Sequence, residues 1–468
     1  MRASCMAIGR SRKKRRVALA VAFVPLVALA ACGDDDDDAS GDTGGTTPAA
    51  ETTAAGAPSD TTAAGAPETT AGGEAPATTA AGGSDTTSGE PASGEPLKVM
   101  TIAPVNTNLP PYPNIPAAAE IYMQYINDRG GIQGRPLEVI TCDDQGDPNV
   151  GANCARQAVD EGAIAVVGSF VFDASRIIPV LEENNIPWFG ACCPLVEQEF
   201  SSPISFPLGS LLPGQGAGLG WKMAQDGCEK PVNVVLDIPA GDVAYPALVN
   251  AYEVGGGDPD AWRMVKISAV PGDYSAQVAE ATSGSDCIAG GMSDSNWAAW
   301  LPAMAAAGAN QRLYGLQGNL NSKIAEEFPE LTEGGVVSNS YPNIEGPMWD
   351  DYRASLEEYD APDLDWNSLA GLGTWTAYTA FKNVVEGMSG EITNETFLEA
   401  INSTTALDTD GMIPELDLTT PYTGFGGGLP RIFNRTVFFD VISDGKLTAM
   451  DDQAYDMTGP IDGQPMSE

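Results

Sequence analysis

The chain carries eight cysteines and sixty-four carboxylates, but no histidine. Covalent chemistry has one obvious starting point, the adjacent thiols Cys192 and Cys193 in the stretch FGACCPLVEQ. Four roles are open to them: a bridge, a nucleophile, metal ligands or the wall of a pocket. Without histidine there is no Ser-His-Asp or Cys-His catalysis and none of the usual catalytic zinc sites. A catalytic thiol also needs a neighbour that lowers its pKa, and no imidazole is present to do so. Four-sulfur zinc sites need CxxC-type repeats, and a nucleotide phosphate needs GxxxxGK[ST]; neither occurs. No metal or cofactor is therefore expected. A bridge between adjacent cysteines needs a distorted peptide. The reading that remains is positional: the pair lines a cleft, or it is simply two small buried apolar residues.

The position follows from the elements around the pair. From Leu97 onward, β-branched runs alternate with amphipathic stretches, the pattern of parallel sheets covered by helices. The first half offers LKVMTIAPV, LEVITC, AIAVVGSF and IPWFGA as strands, with PISFPLG as a further short run. After Pro213 the pattern restarts with VNVVLDI, RMVKISAV, CIAGGM, RLYGLQ and GGVVSNSY. The spacing predicts an α/β protein with two doubly wound, Rossmann-like lobes. The helix WNSLAGLGTWTAYTAFKNVVEGM repeats apolar residues every three or four positions and is expected to pack in a core. TVFFDVISDGKLTAM closes the chain as an extended pair turning at Asp444-Gly445.

Ligands of open α/β sheets sit outside the carboxyl ends of the strands. Two facing lobes would bring residues 106–112, 169–173 and 191–194 opposite 242–245, 292–296 and 317–319. The candidate ligand-binding residues are therefore Tyr112, Phe170, Phe172, Asp173, Cys192, Cys193, Tyr245, Met292 and Gln317. The four aromatic residues suit an apolar or aromatic solute, although aromatics also dominate cores. Trp188 and Trp297 are candidate reporters of lobe closure.

Six cysteines beyond Cys5 and Cys32 allow fifteen pairings. Cys142 ends the second strand and Cys154 lies early in the next helix, so a bridge would staple that connection. Cys228 and Cys287 precede or open neighbouring parallel strands at the same end of a sheet, within disulfide reach. Both pairs are expected as disulfides, since exported thiols tend to be oxidised.

Export is read at the N-terminus. Seven bases and no acid precede position 17, and an apolar run VALAVAFVPLVALAA follows. That run is too short to span a membrane comfortably but suits a signal segment. Leu29-Ala30-Ala31-Cys32 resembles the lipobox of bacterial lipoproteins, which implies cleavage before Cys32 and a diacylglycerol on its thiol. Arg15-Arg16 is a weak sign of twin-arginine export, with general secretion the default. Residues 1–31 are thus a lipoprotein signal peptide. Residues 32–96, rich in Thr, Ala, Gly, Ser and Pro, form a lipid-anchored disordered tether. Losing those seven bases takes the formal net charge from −41 to −48. So acidic a chain has no footprint for nucleic acid, and its self-repulsion suits an extracytoplasmic surface.

The segment INDRGGIQGRPLEVITCDDQGDP (126–148) resembles the hallmark of extracellular solute-binding proteins of the branched-chain amino-acid (leucine-binding) family, the type I periplasmic binding proteins. AVVGSF, ENNIPWFGACCP and AAAGANQRLYGLQG extend the resemblance over most of residues 97–460. It implies two lobes joined by three crossovers, near 207–213, 341–347 and 425–433. Lobe 1 would be 97–210 plus 343–430, and lobe 2 211–342 plus 431–460. It also implies a subunit held on the outer face of the bacterial membrane, delivering a small solute to ABC permease and ATPase subunits. Carried over residue by residue, the amino-acid site is incomplete. The family's serine-bearing loop reads Phe170-Val171-Phe172-Asp173, its carboxylate loop reads Cys192-Cys193-Pro194, and its ammonium-pairing acid falls on Gln317. An amide has no charge to balance a desolvated ammonium. Asp173, Asp242 or Asp294 would restore one, though each also suits a helix N-cap or the surface. A ligand-sensing receptor of the same fold, and a hydrolase using a pair such as Asp143-Asp144, are the competing readings.

Overall fold

Strands buried on both faces need apolar residues at nearly every position. The computed structural model describes residues 92–237 and 239–467, with side chains excepted at 211, 212 and 239–244. The expected signal segment, Cys32, the tether as far as residue 91 and the side chain of Asp242 lie outside the described residues. In the first sheet, β1 (Leu97–Ala103) sends Leu97 and Val99 into one core and Met100 and Ile102 into another. With β2 (Leu137–Asp143), β3 (Val166–Val167), β4 (Trp188–Phe189) and β5 (Ser205–Phe206) it forms a sheet in the order β2-β1-β3-β4-β5. Every pairing in it is parallel. Just before β1, Ser93 N donates to Gly134 O and the Arg135 guanidinium donates to the carbonyls of Glu95 and Pro96.

The second sheet collects β6 (Pro231–Leu236), β7 (Arg263–Ile267), β8 (Cys287–Gly291), β9 (Arg312–Leu316), β10 (Val336–Asn339), β11 (Thr436–Ser443) and β12 (Lys446–Ala449). Its order is β12-β11-β10-β9-β8-β6-β7, with β13 (Tyr455–Asp456) paired to β11. Strands β6 to β10 are parallel, and β11 and β12 run antiparallel. Their hairpin turns at Asp444 and Gly445, both at positive φ, the backbone that a tight two-residue turn requires. Cores again lie on both faces: Cys287 and Ala289 point to one, Ile288 to the other.

The aromatic-rich helix Leu369–Gly387 is buried continuously from Ala370 to Phe381 and belongs to the core of the first sheet. It lies against helix Asn114–Asp128, where Tyr122 meets Trp375 edge-on at 4.8 Å. Burying each such ring removes apolar area worth about 1.5–3 kcal/mol. No helix among the described residues is long and apolar enough to cross a membrane.

Three segments pass between the two sheets, and hydrogen bonds join them. Ser340 Oγ accepts from Gln215 Nε2 (2.7 Å) and pairs with Ser210 Oγ (2.9 Å), while Asn434 Nδ2 donates to Leu208 O. Arg431 is buried with its guanidinium over Phe206 (4.2 Å) and Phe433 (4.7 Å), and its Nε donates to Ser205 O. Burial without a carboxylate pushes its pKa down to about 10. The last passage is woven: Tyr422, Leu429 and Ile432 pack in the second core, whereas Phe433 returns to the first.

Disulfides join Cys142 to Cys154 and Cys228 to Cys287, with Cα separations of 5.8 and 5.9 Å. They close loops of very different length, with partners 12 and 59 residues apart. On the chain-entropy account, removing them by paired Cys→Ala substitution costs about 3 and about 4 kcal/mol respectively. Urea unfolding under non-reducing conditions should rank the Cys228/Cys287 variant below the Cys142/Cys154 variant.

Candidate functional site

Four connections leave the carboxyl edge of the first sheet, and hydrogen bonds pin each of them. After β1, Asp143 accepts from Val105 N (2.9 Å), Asn106 N (3.0 Å) and Asn106 Nδ2 (2.7 Å), and also from Gln145 N. Burial pushes the Asp143 pKa up, but these donors outweigh it and hold the carboxyl below its ordinary value. Asp143 is thus a brace. Its neighbour Asp144 is buried, and burial lifts its pKa to about 6. After β3, Ser169 Oγ accepts from Ile102 N (2.9 Å) and Ser169 O accepts from Cys192 N (3.1 Å). These bonds lock the β3 and β4 connections together.

On this frame the chain gathers an apolar floor. Tyr112, Phe170, Phe172, Cys192 and Cys193 form one cluster with Ala103, Ile115, Leu195 and Ala370. Tyr112 and Phe170 have centroids 4.6 Å apart, and Phe170 meets Phe172 edge-on at 5.1 Å. Cys192 and Cys193 are bonded to each other, so the pair presents a closed disulfide and no free thiol. Gly373, on the helix Leu369–Gly387, permits this approach: a Cβ there would stand 3.2 Å from the Cβ of Cys192. Glu199 holds the chain beyond the disulfide. Fully buried, it accepts from Trp188 Nε1 (3.2 Å), Leu195 N (2.8 Å) and Val196 N (3.2 Å).

The edge of the second sheet faces this floor. A Cβ on Gly318, just after β9, would come within 2.9 Å of Leu369 at the start of the buried helix. Asp294, just after β8, helps push the Tyr112 hydroxyl up to about 12, an effect led by burial. The Asp365 carboxyl is raised chiefly by burial, with Lys323 opposing and Asp294 reinforcing. Charges therefore stand at the rim and apolar groups on the floor. Among the described residues no cluster of three or more His, Cys, Asp or Glu is placed to hold a metal.

Several sequence candidates lie elsewhere. Tyr245 is well inside the helix Pro239–Val254 and packs edge-on against Trp262 at 6.5 Å. Met292 is buried in the second core with Trp297, beneath the helix Asp294–Ala306. Gln317 is buried with its Oε1 accepting from Ser340 N (3.0 Å), so its amide ties β9 to the crossover. Asp173 Oδ1 accepts from Ser175 N (2.9 Å), a local turn. Trp188 and Trp297 are both sealed in cores. Sequence reasoning missed Leu369, Ala370 and Gly373. Their helix reads as core throughout, and only the fold brings its first turns to the strand ends.

A family model described as periplasmic binding protein matches residues 112–424. No curated protein matches the chain. Several solved structures share its fold. A possible leucine/isoleucine/valine-binding protein from Rhodopirellula baltica is 15% identical, covers 77% of this chain and 98% of its own, and has a TM-score of 0.65. An ABC-transporter solute-binding protein from R. palustris, in complex with benzoate, is 17% identical over 80% and 97%, with a TM-score of 0.60. A fatty acid ABC transporter substrate-binding protein from Thermomonospora curvata is 16% identical over 79% and 95%, also at 0.60.

Glu199 yields a pH test. Burial raises its carboxyl from 4.5 to about 7, and the three donors only partly offset the rise. Between those values the folded chain holds a proton that the unfolded chain has released. The associated stability is complete below about 4.5 and is lost as pH rises through about 7. The urea midpoint should therefore fall from pH 5 to pH 8, and more shallowly in Glu199→Gln. An equal slope in the two proteins would show that Glu199 does not titrate in this range.

Proposed function

Because the chain belongs to the periplasmic binding protein family, matched over residues 112–424, we propose that its two lobes close on a small, largely apolar or aromatic solute. Members of this family bind solutes and are not enzymes. The observation that carries the choice of solute is the floor itself, three aromatic rings packed together with a vicinal disulfide. A free amino acid would bury two charges there, and a charge taken out of water needs a hydrogen-bonded partner. Binding sites of this type are mostly apolar with a few polar anchors. The benzoate and fatty-acid proteins of the same fold offer precedents for an apolar body with one polar end.

In this reading lobe 1 comprises 97–210 with 343–430, lobe 2 comprises 211–342 with 431–460, and the three bonded crossovers are the hinge. The protein is anchored through Cys32 outside the cell membrane, and residues 33–96 let it reach an ABC permease that imports the solute.

Two experiments test this reading. In a thermal-shift series with benzoate, octanoate and leucine, a ligand at about 100 times its Kd adds about 2.7 kcal/mol of stability. Benzoate or octanoate should give the larger shift, and opening the floor by Cys192→Ala/Cys193→Ala should weaken it. A dominant response to leucine would overturn the apolar reading. In cells, radiolabelled palmitate should mark the wild type but not Cys32→Ala, and the variant should appear in the medium. Release of both proteins alike would remove the anchor.

A further inference from the structure

Buried phenols normally find a hydrogen-bond partner, because an unpaired hydroxyl loses its water for nothing. This protein keeps that rule at most of its buried tyrosines. Tyr314 Oη donates to Asp226 Oδ2 (3.0 Å), Tyr422 Oη to Asp462 Oδ2 (2.7 Å), and Tyr378 Oη pairs with Thr101 Oγ1 (2.7 Å). Among the described residues Tyr352 breaks it outright. Tyr352 lies flat on Trp375 at 4.2 Å, its hydroxyl sealed in the core of the first sheet. Tyr341 is only 2% exposed and bonds through its hydroxyl to no described residue, but its surroundings are different.

Tyr341 lies on the second crossover, just beyond β10, with its ring edge-on to Trp349 at 5.9 Å. That packing sends the hydroxyl to Gly373, where the buried helix has no side chain. A Cβ at Gly373 would stand 3.1 Å from Tyr341 Oη and 3.2 Å from the Cβ of Cys192. The phenol therefore meets the vicinal disulfide across bare helix backbone, at the inner end of the apolar floor. Glycine is among the poorest helix formers, so Gly373 trades helix propensity for this clearance. One turn earlier, Ala370 belongs to the same floor and carries a first-turn backbone N–H without an intrahelical partner.

We propose that the Tyr341 hydroxyl is the polar anchor of the site, donating a hydrogen bond to a carboxylate or carbonyl oxygen of the bound solute. Burial raises the pKa of the phenol, so it stays protonated at any pH the protein meets and acts as a donor. The solute class that follows has an apolar body lying over the disulfide and the Tyr112–Phe170–Phe172 cluster, and one oxygen-bearing end directed at the crossover. Because Tyr341 belongs to a hinge segment, that bond also ties the solute to the part of the chain that moves when the lobes close.

The assignment rests on the apolar solute reading above, and one set of measurements separates the two. Wild type, Tyr341→Phe and Gly373→Ala are titrated calorimetrically with benzoate, octanoate and toluene. Tyr341→Phe removes one oxygen atom and no protein hydrogen bond, so its melting temperature without ligand should equal or exceed that of wild type. Its affinity for the better-binding acid should fall about tenfold, as expected for the loss of one buried hydrogen bond, while any toluene binding is unchanged. Gly373→Ala favours the helix but fills the clearance, and should lose affinity for acid and toluene alike. Wild-type binding that Tyr341→Phe leaves intact overturns the anchor and spares the solute reading. A lower melting temperature in Tyr341→Phe would reveal a structural partner and also overturn it. No binding of any probe by the wild type withdraws both.

Discussion

Parallel strand pairing is the constraint on which this molecule depends. When strands β1 to β5 all run the same way, every connection leaving a carboxyl end emerges on one edge of the sheet, whatever its sequence separation. Residues as distant as Tyr112 and Cys193 become neighbours for that reason alone. The same rule acts on β6 to β10 and places Asp294 and Gly318 on the corresponding edge of the second sheet. The three crossovers turn the two edges toward each other. A single continuous sheet would have left those residues on separate margins.

The second constraint is the cost of taking polar groups out of water, and the protein answers it differently in each region. At the crossovers, Ser210, Gln215, Gln317 and Ser340 satisfy one another in a small network, which joins segments far apart in sequence. Arg431 is solvated instead by aromatic faces and one carbonyl, and its lowered pKa reflects how little counter-charge it has. Glu199 spends its oxygens on backbone and indole donors around the disulfide, and so fixes the loop without a cation. At Tyr341, beside the disulfide, the hydroxyl bonds to no described residue.

The floor illustrates how one fold changes its ligand chemistry without changing its frame. The backbone bonds that hold the β3 and β4 connections are independent of the side chains projected between them. Phe170, Phe172 and the disulfide therefore give this edge an apolar surface without drawing on the bonds that hold the sheet. A bridge between neighbours in sequence adds little chain entropy to stability, since its loop is minimal. Its effect is local: it closes off the thiols and stiffens one turn of the wall.

The sequence by itself determined the strands and helices, because periodicity reports which faces are buried: alternate residues on strands, every third or fourth on helices. It also determined the chemistry that is impossible, since absent histidine and absent phosphate loops are facts of composition. That Tyr112, Phe170, Phe172 and the cysteine pair gather at one edge was legible for the same reason that strand ends are legible, as residues that follow an apolar run. Tertiary structure alone decided that Cys192 and Cys193 bond to each other, that Tyr245 and Met292 belong to cores, and that Gly373 and Tyr341 meet beside the disulfide. A core helix and a crossover carry no periodic mark of which residue will end at a hollow, because that depends on how two sheets and three passing segments pack together.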